Sequence, residues 1–127
     1  RVLFRSESVL MAQIPDNATP ALDMLRSVGG DAMLAMMLQT FVQFADERIP
    51  QIAAEAAAGR LREAASGAHA LKASARQLGA LALGDACQRL EEAGRAEHAA
   101  AVADGVLDVQ DAYRVARDWM SALATAS

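Results

Sequence analysis

The chain has 127 residues, a formal net charge of −4 and 54% hydrophobic residues, with aromatics only 4%. That length suits one domain with its own core, and the acidic balance argues against a nucleic-acid-binding module, which carries a basic surplus. The single cysteine, Cys87, excludes a disulfide framework and a cysteine-based zinc site; no apolar run approaches the ~20 residues of a membrane span, and residues 1–11 lack a signal peptide's sustained apolar core.

Ala and Leu dominate the apolar content, so the composition favours helix over strand. Residues 1–17 read as a connector or linker segment, whose apolar Val2, Leu3, Phe4, Val9, Leu10 and Ile14 suit covering part of a fold; residues 18–125 form the folded unit. Thr19-Pro20 starts a short helix: a hydroxyl at the N-cap, then proline where its missing N–H costs nothing. It ends at Gly29-Gly30, and Asp31 caps a second helix running to about Ala58. Met33, Met36, Met37, Phe41, Phe44, Ile49 and Ile52 recur there at helical spacing. Pro50 kinks this helix without ending it, because the periodicity resumes at once, and Gly59 closes it.

A third helix is predicted from about Arg60 to Leu78, with Gly79 as its stop. A fourth runs from about Leu81 to Arg95, with Leu83, Ala86, Cys87 and Leu90 facing inward. Residues 96–103 are open between loop and helix, and His98 there reads as a surface residue. A final helix from about Gly105 to Ala124 carries Val109, Ala112, Tyr113, Ala116, Met120 and Leu123. Long helices with short connections predict an all-α fold, an antiparallel four-helix bundle with an additional N-terminal helix. The methionines of the second helix are read as core packing, and Trp119 as packing or a capping aromatic.

The third helix holds the chemistry. At ~100° per residue, Leu61, Ala64, Ala68, Leu71, Ala75 and Leu78 gather on a buried stripe, and His69 falls on the exposed side. Around it lie Arg62, Ala65, Ser66, Lys72, Ala73 and Arg76: three cations, no acid, and otherwise only small side chains. The bland alternative is a wet helix face with an incidental histidine, and wheel geometry alone leaves both readings open.

The stretch Ala68-His69-Ala70-Leu71-Lys72-Ala73-Ser74-Ala75-Arg76-Gln77-Leu78-Gly79-Ala80 resembles the signature of histidine-containing phosphotransfer (HPt) domains, A-H-x-L-K-G-S-S-x-x-L-G-A. Leu22-Asp23 through Gly29-Gly30 to Phe41, with Pro50, is similar to the family's lead-in, and Cys87-Gln88-Arg89-Leu90-Glu91 to its fourth helix. The usual glycine four residues after the histidine is Ala73 here, one methyl group larger, and the second serine is Ala75. The resemblance implies that His69 is phosphorylated on Nε2, that Lys72 neutralises phosphoryl oxygens, and that Glu91 accepts a hydrogen bond from the other ring nitrogen. Ser74, about 140° around the helix from His69, is read as a bundle-side hydroxyl.

The partner-binding face expected from this resemblance comprises Arg62, Ala65, Ser66, Ala73 and Arg76, and the partners are receiver domains. No Gly-rich phosphate loop is present, so the chain is read as a phosphoryl carrier without autokinase activity. It should need no cofactor or metal of its own, the Mg²⁺ lying on the receiver. The remaining expectations are a monomer with no direct membrane contact, in the cytoplasm, free-standing or excised from a bacterial hybrid sensor kinase; the start at Arg1 leans towards excision. The competing reading is a degenerate HPt-like module that docks without carrying phosphate.

Overall fold

A computed structural model describes residues 14–126. The expectations for Val2, Leu3, Phe4, Val9 and Leu10 lie outside the described residues. After a single 3₁₀ turn, Asp16–Ala18, the chain forms α1 (Thr19–Ala57), α2 (Leu61–Gln77), α3 (Leu81–Arg95) and α4 (Ala99–Ala126). No strand occurs among the described residues. Three short turns force consecutive helices to run antiparallel, and each helix packs against two neighbours around one core: α1 on α2 and α4, α3 on α2 and α4.

The expected break at Gly29-Gly30 is a kink. Gly30 alone leaves helical geometry (φ 78°, ψ −178°), a conformation open to glycine at no steric cost, and splits α1 into two arms. Arg26 reaches Asp31 at 3.3 Å across it. Asp31 therefore serves in an ion pair. At the start of α1 the N-cap is Ala18, which makes no side-chain capping bond, with Thr19 already helical. The helix then passes through Pro50 to Ala57.

Both α1 and α2 end as the glycines predicted. Gly59 and Gly79 take positive φ, and the turn bonds run from the Arg60 N–H to the Glu55 carbonyl and from the Ala80 N–H to the Ala75 carbonyl (2.9 Å each). Gly79 is also fixed by packing, because a Cβ there would lie 2.9 Å from the Cα and carbonyl oxygen of the fully buried Ala18.

The last connection differs from expectation. α3 closes with the same bond pattern, but its left-handed residue is Glu97 (φ 53°), not a glycine. His98 then caps α4, its Nδ1 accepting the Ala101 N–H at 3.1 Å. Consequently α4 starts at Ala99, and Gly105 lies inside it, where it lets Leu90 of α3 approach closely.

The core holds Leu22, Leu34, Leu38, Phe41, Ala45, Ile49 and Ile52 of α1, with the predicted inner faces of α2, α3 and α4 and Trp119. Two corrections concern α1: Leu34 and Leu38 take the innermost positions, whereas Met36 is 67% exposed. On the α1–α4 side, Tyr113 donates its hydroxyl to Asp46 (2.7 Å), and Arg117 grips the same carboxylate through Nε (2.9 Å) and a terminal nitrogen (3.0 Å). The Arg117 bond holds the Asp46 carboxyl below its usual range, and burial pushes the Tyr113 phenol up. Replacing Tyr113 by Phe keeps the edge-on ring contact with Phe41 and removes the hydroxyl. It should cost about 1 kcal/mol, read as a lowered urea midpoint at unchanged slope.

Candidate functional site

His69 sits midway along α2 with its side chain 61% exposed, while Ala64, Ala68, Leu71 and Ala75 of the same helix are buried. Its Nδ1 lies 2.9 Å from Oε2 of Glu91 on α3. Glu91 is buried, only 2% exposed, so its charge has to be met by donors within the protein. Two donors converge on it, His69 and the Lys72 ammonium on Oε1 at 2.7 Å, and the Arg95 guanidinium forms an ion pair with Oε2 at 2.6 Å. Lys72 also donates to Gln88 Oε1 at 2.9 Å.

Burial acts to raise the Glu91 carboxyl, but the hydrogen bonds from Lys72 and His69 and the charges of Lys72 and Arg95 prevail and hold it below the usual carboxylate range. Ionised, it can only accept. Nδ1 is therefore the protonated nitrogen, and in the neutral ring Nε2 keeps the lone pair as a potential nucleophile. Cys87, behind α3's inner face, is no competitor: burial pushes its thiol up to about 12.

The remaining members of the expected face divide. Ser66 and Ala73 are exposed, the Ser66 hydroxyl donating to the Arg62 carbonyl. Arg62 and Arg76 are exposed but not free, since α3 and its C-terminal turn supply acids: Arg62 meets Glu97 at 3.5 Å and Arg76 meets Asp85 at 3.4 Å. Lys72, 17% exposed, leans onto α3. The face is thus a set of ion pairs where the helix wheel showed cations alone. Ala65 is a correction: it is buried against Gly94 in the α2–α3 seam and has no surface to offer a partner. Ser74 lines an apolar groove between α1 and α2, about 400 Å³, with Met36, Thr40, Phe44 and Gln77.

Sequence reasoning missed Gln88, Arg95 and Gly94. The i,i+4 spacing of Glu91 and Arg95, and Gln88 one turn before Glu91, were available signals. Gly94 had none, because its role depends on which helix faces it. A Cβ there would stand 2.5 Å from the Leu61 carbonyl oxygen and 2.7 Å from the Ala65 Cβ. That bare contact sets how close α3 comes to α2, and so whether Glu91 reaches His69. Among the described residues no group of three or more His, Cys, Asp or Glu side chains is placed to hold a metal ion.

Gly94→Ala should cost about 1–3 kcal/mol and change the His69 ring resonances, as the seam opens to admit the methyl group; ring NMR beside a urea melt separates the two effects. Because the Glu91 carboxyl is lowered in the folded state, its contribution to stability is present above its unfolded pKa and fades as pH falls through the lowered value. Acid melts of wild type should therefore show a loss at the acid end that Glu91→Gln lacks.

A family model described as Hpt domain matches residues 36–126, well over half of the chain and spanning α2, α3 and α4. Neither a curated protein nor a solved structure matches. The helical bundle, the exposed histidine on α2 and this match agree, and the chain belongs to the Hpt domain family, the histidine phosphotransfer modules of phosphorelays.

Proposed function

We propose that this domain accepts a phosphoryl group from a receiver aspartate onto Nε2 of His69 and passes it to another receiver. The observation that carries this reading is the pairing of an exposed imidazole with a buried, ionised Glu91 on Nδ1. The pairing orients the ring and leaves the outer nitrogen nucleophilic. Attack forms the Nε2–P bond while the P–O bond to the receiver's aspartate breaks. Lys72 and Arg95, both already beside the ring through Glu91, offer cations to the phosphoryl oxygens as charge arrives.

Arg62, Ser66, Ala73 and Arg76 form the docking face around His69. The groove with Met36 and Phe44 extends that face towards α1 and suits an apolar element of the receiver. The Mg²⁺ that assists transfer belongs to the receiver, and this chain works as a carrier with no nucleotide chemistry of its own, as a monomer. No helix among the described residues is long and apolar enough to cross a membrane. A place in the cytoplasm, alone or as part of a bacterial hybrid sensor kinase, fits such a carrier.

The test is transfer from a panel of phosphorylated receivers with Mg²⁺, comparing wild type with His69→Gln. Acid-labile, base-stable label on wild type and none on the variant is the expected result. Binding without label from any receiver would favour a docking module instead. Label persisting on the variant would move the site to His98.

A further inference from the structure

Resting on His69 as the phosphorylated residue, we propose that Glu91 keeps Nδ1 protonated after phosphorylation, so that the phosphoryl group is stored on a cationic ring. Once Nε2 carries phosphorus, the neutral form of the ring would present a lone pair at Nδ1. That lone pair would face Oε2 of Glu91 across 2.9 Å. A carboxylate has no hydrogen to offer it. A glutamine in the same place would turn its amide over and donate, making the neutral ring acceptable.

Glu91 has little freedom to withdraw. Lys72 holds one of its oxygens and Arg95 the other, and at 2% exposure it has no water shell to turn into. The same partners keep the carboxyl ionised, so it does not take the proton from the ring. The other charges on the elements around the ring are mostly opposed in sign to this carboxylate: Arg62, Lys72 and Arg76 on α2, Arg95 on α3, and Arg48 on α1, whose stem lies over Gly67. Asp85, Glu92 and Glu97 are engaged with Arg76, Gln88 and Arg62. Retention of the ring proton therefore depends on Glu91.

The consequence is a leaving group that needs no proton. When the phosphoryl group departs to a receiver aspartate, the Nε2–P bond breaks, its electron pair returns to Nε2, and a P–O bond forms. With the proton already on Nδ1, the departing ring is neutral imidazole; without it, the ring would leave as an imidazolate anion. In the reverse direction the same proton stays in place. Glu91 is thus a positioning residue that sets the pH range over which this carrier hands on its load.

The experiment uses the full chain with His98→Asn, which keeps a capping side chain on α4 and leaves one histidine. Phosphoramidate, a small-molecule donor independent of any receiver, loads His69. Hydrolysis rate and ring ¹⁵N shifts are then followed against pH. The titration midpoint of the phosphorylated ring should fall by at least about one pH unit in Glu91→Gln, with roughly tenfold slower hydrolysis between the two midpoints. Arg95→Ala, which removes a cation from the same oxygen, should move the midpoint the opposite way, a sign that loosened structure does not produce. Coincident midpoints in all three proteins would overturn the proposal, and so would failure of phosphoramidate to label His69. Separated midpoints without label from any receiver would instead sink the relay reading and leave this one standing.

Discussion

A carboxylate taken out of water costs several kcal/mol unless donors inside the protein replace its hydration. Glu91 is such a group, and the site is arranged around meeting its needs. Its two hydrogen-bond donors, His69 and Lys72, come from α2, and its own helix adds only the ion-pairing cation Arg95. Those donors reach it only if α2 and α3 lie close together. Closeness in turn requires residues with almost no side chain in the seam, which Gly94 and Ala65 supply. The histidine's orientation, its tautomer and the placement of two cations beside it all follow from satisfying one buried charge.

The bundle divides its labour between two faces. On one, α1 and α4 are tied by Tyr113, Asp46 and Arg117 in a network that spans the helices and touches nothing chemical. On the other, α2 and α3 present an exposed imidazole over a satisfied polar layer. A bundle tied on one face and carrying an exposed histidine on the other agrees with the phosphotransfer modules to which the chain belongs. The ion pairs of Arg62 and Arg76 with Glu97 and Asp85 leave neither cation unpaired on that face.

The local signals that proved sound were those with a single physical meaning. Gly59 and Gly79 marked helix ends because the left-handed turn there is costly for other residues. The stripes of α2 and α3 followed from spacing alone. The stretch after Arg95 stayed open between loop and helix for the converse reason: Glu97 occupies the same backbone region without being a glycine, and His98 caps a helix without being one of the usual capping residues. Gly105, read as a boundary, is interior because Leu90 presses on it from another helix.

Sequence by itself determined the all-α class, the helix order, the resemblance carried by Ala68 to Ala80, and the exposure of His69, because each depends on spacing along one helix. It also singled out Glu91, though only through that resemblance, with an ordinary surface glutamate as the alternative. Only the tertiary structure decided that Glu91 is buried and bonded by His69 and Lys72, that Arg95 and Gln88 join the cluster, that Ala65 is hidden, and that the cations have acidic neighbours. Apart from the Arg95–Glu91 pair within α3, those facts are contacts of α2 with α3 and its C-terminal turn. They are set by how closely two helix surfaces approach, a distance that a pattern within either helix does not contain.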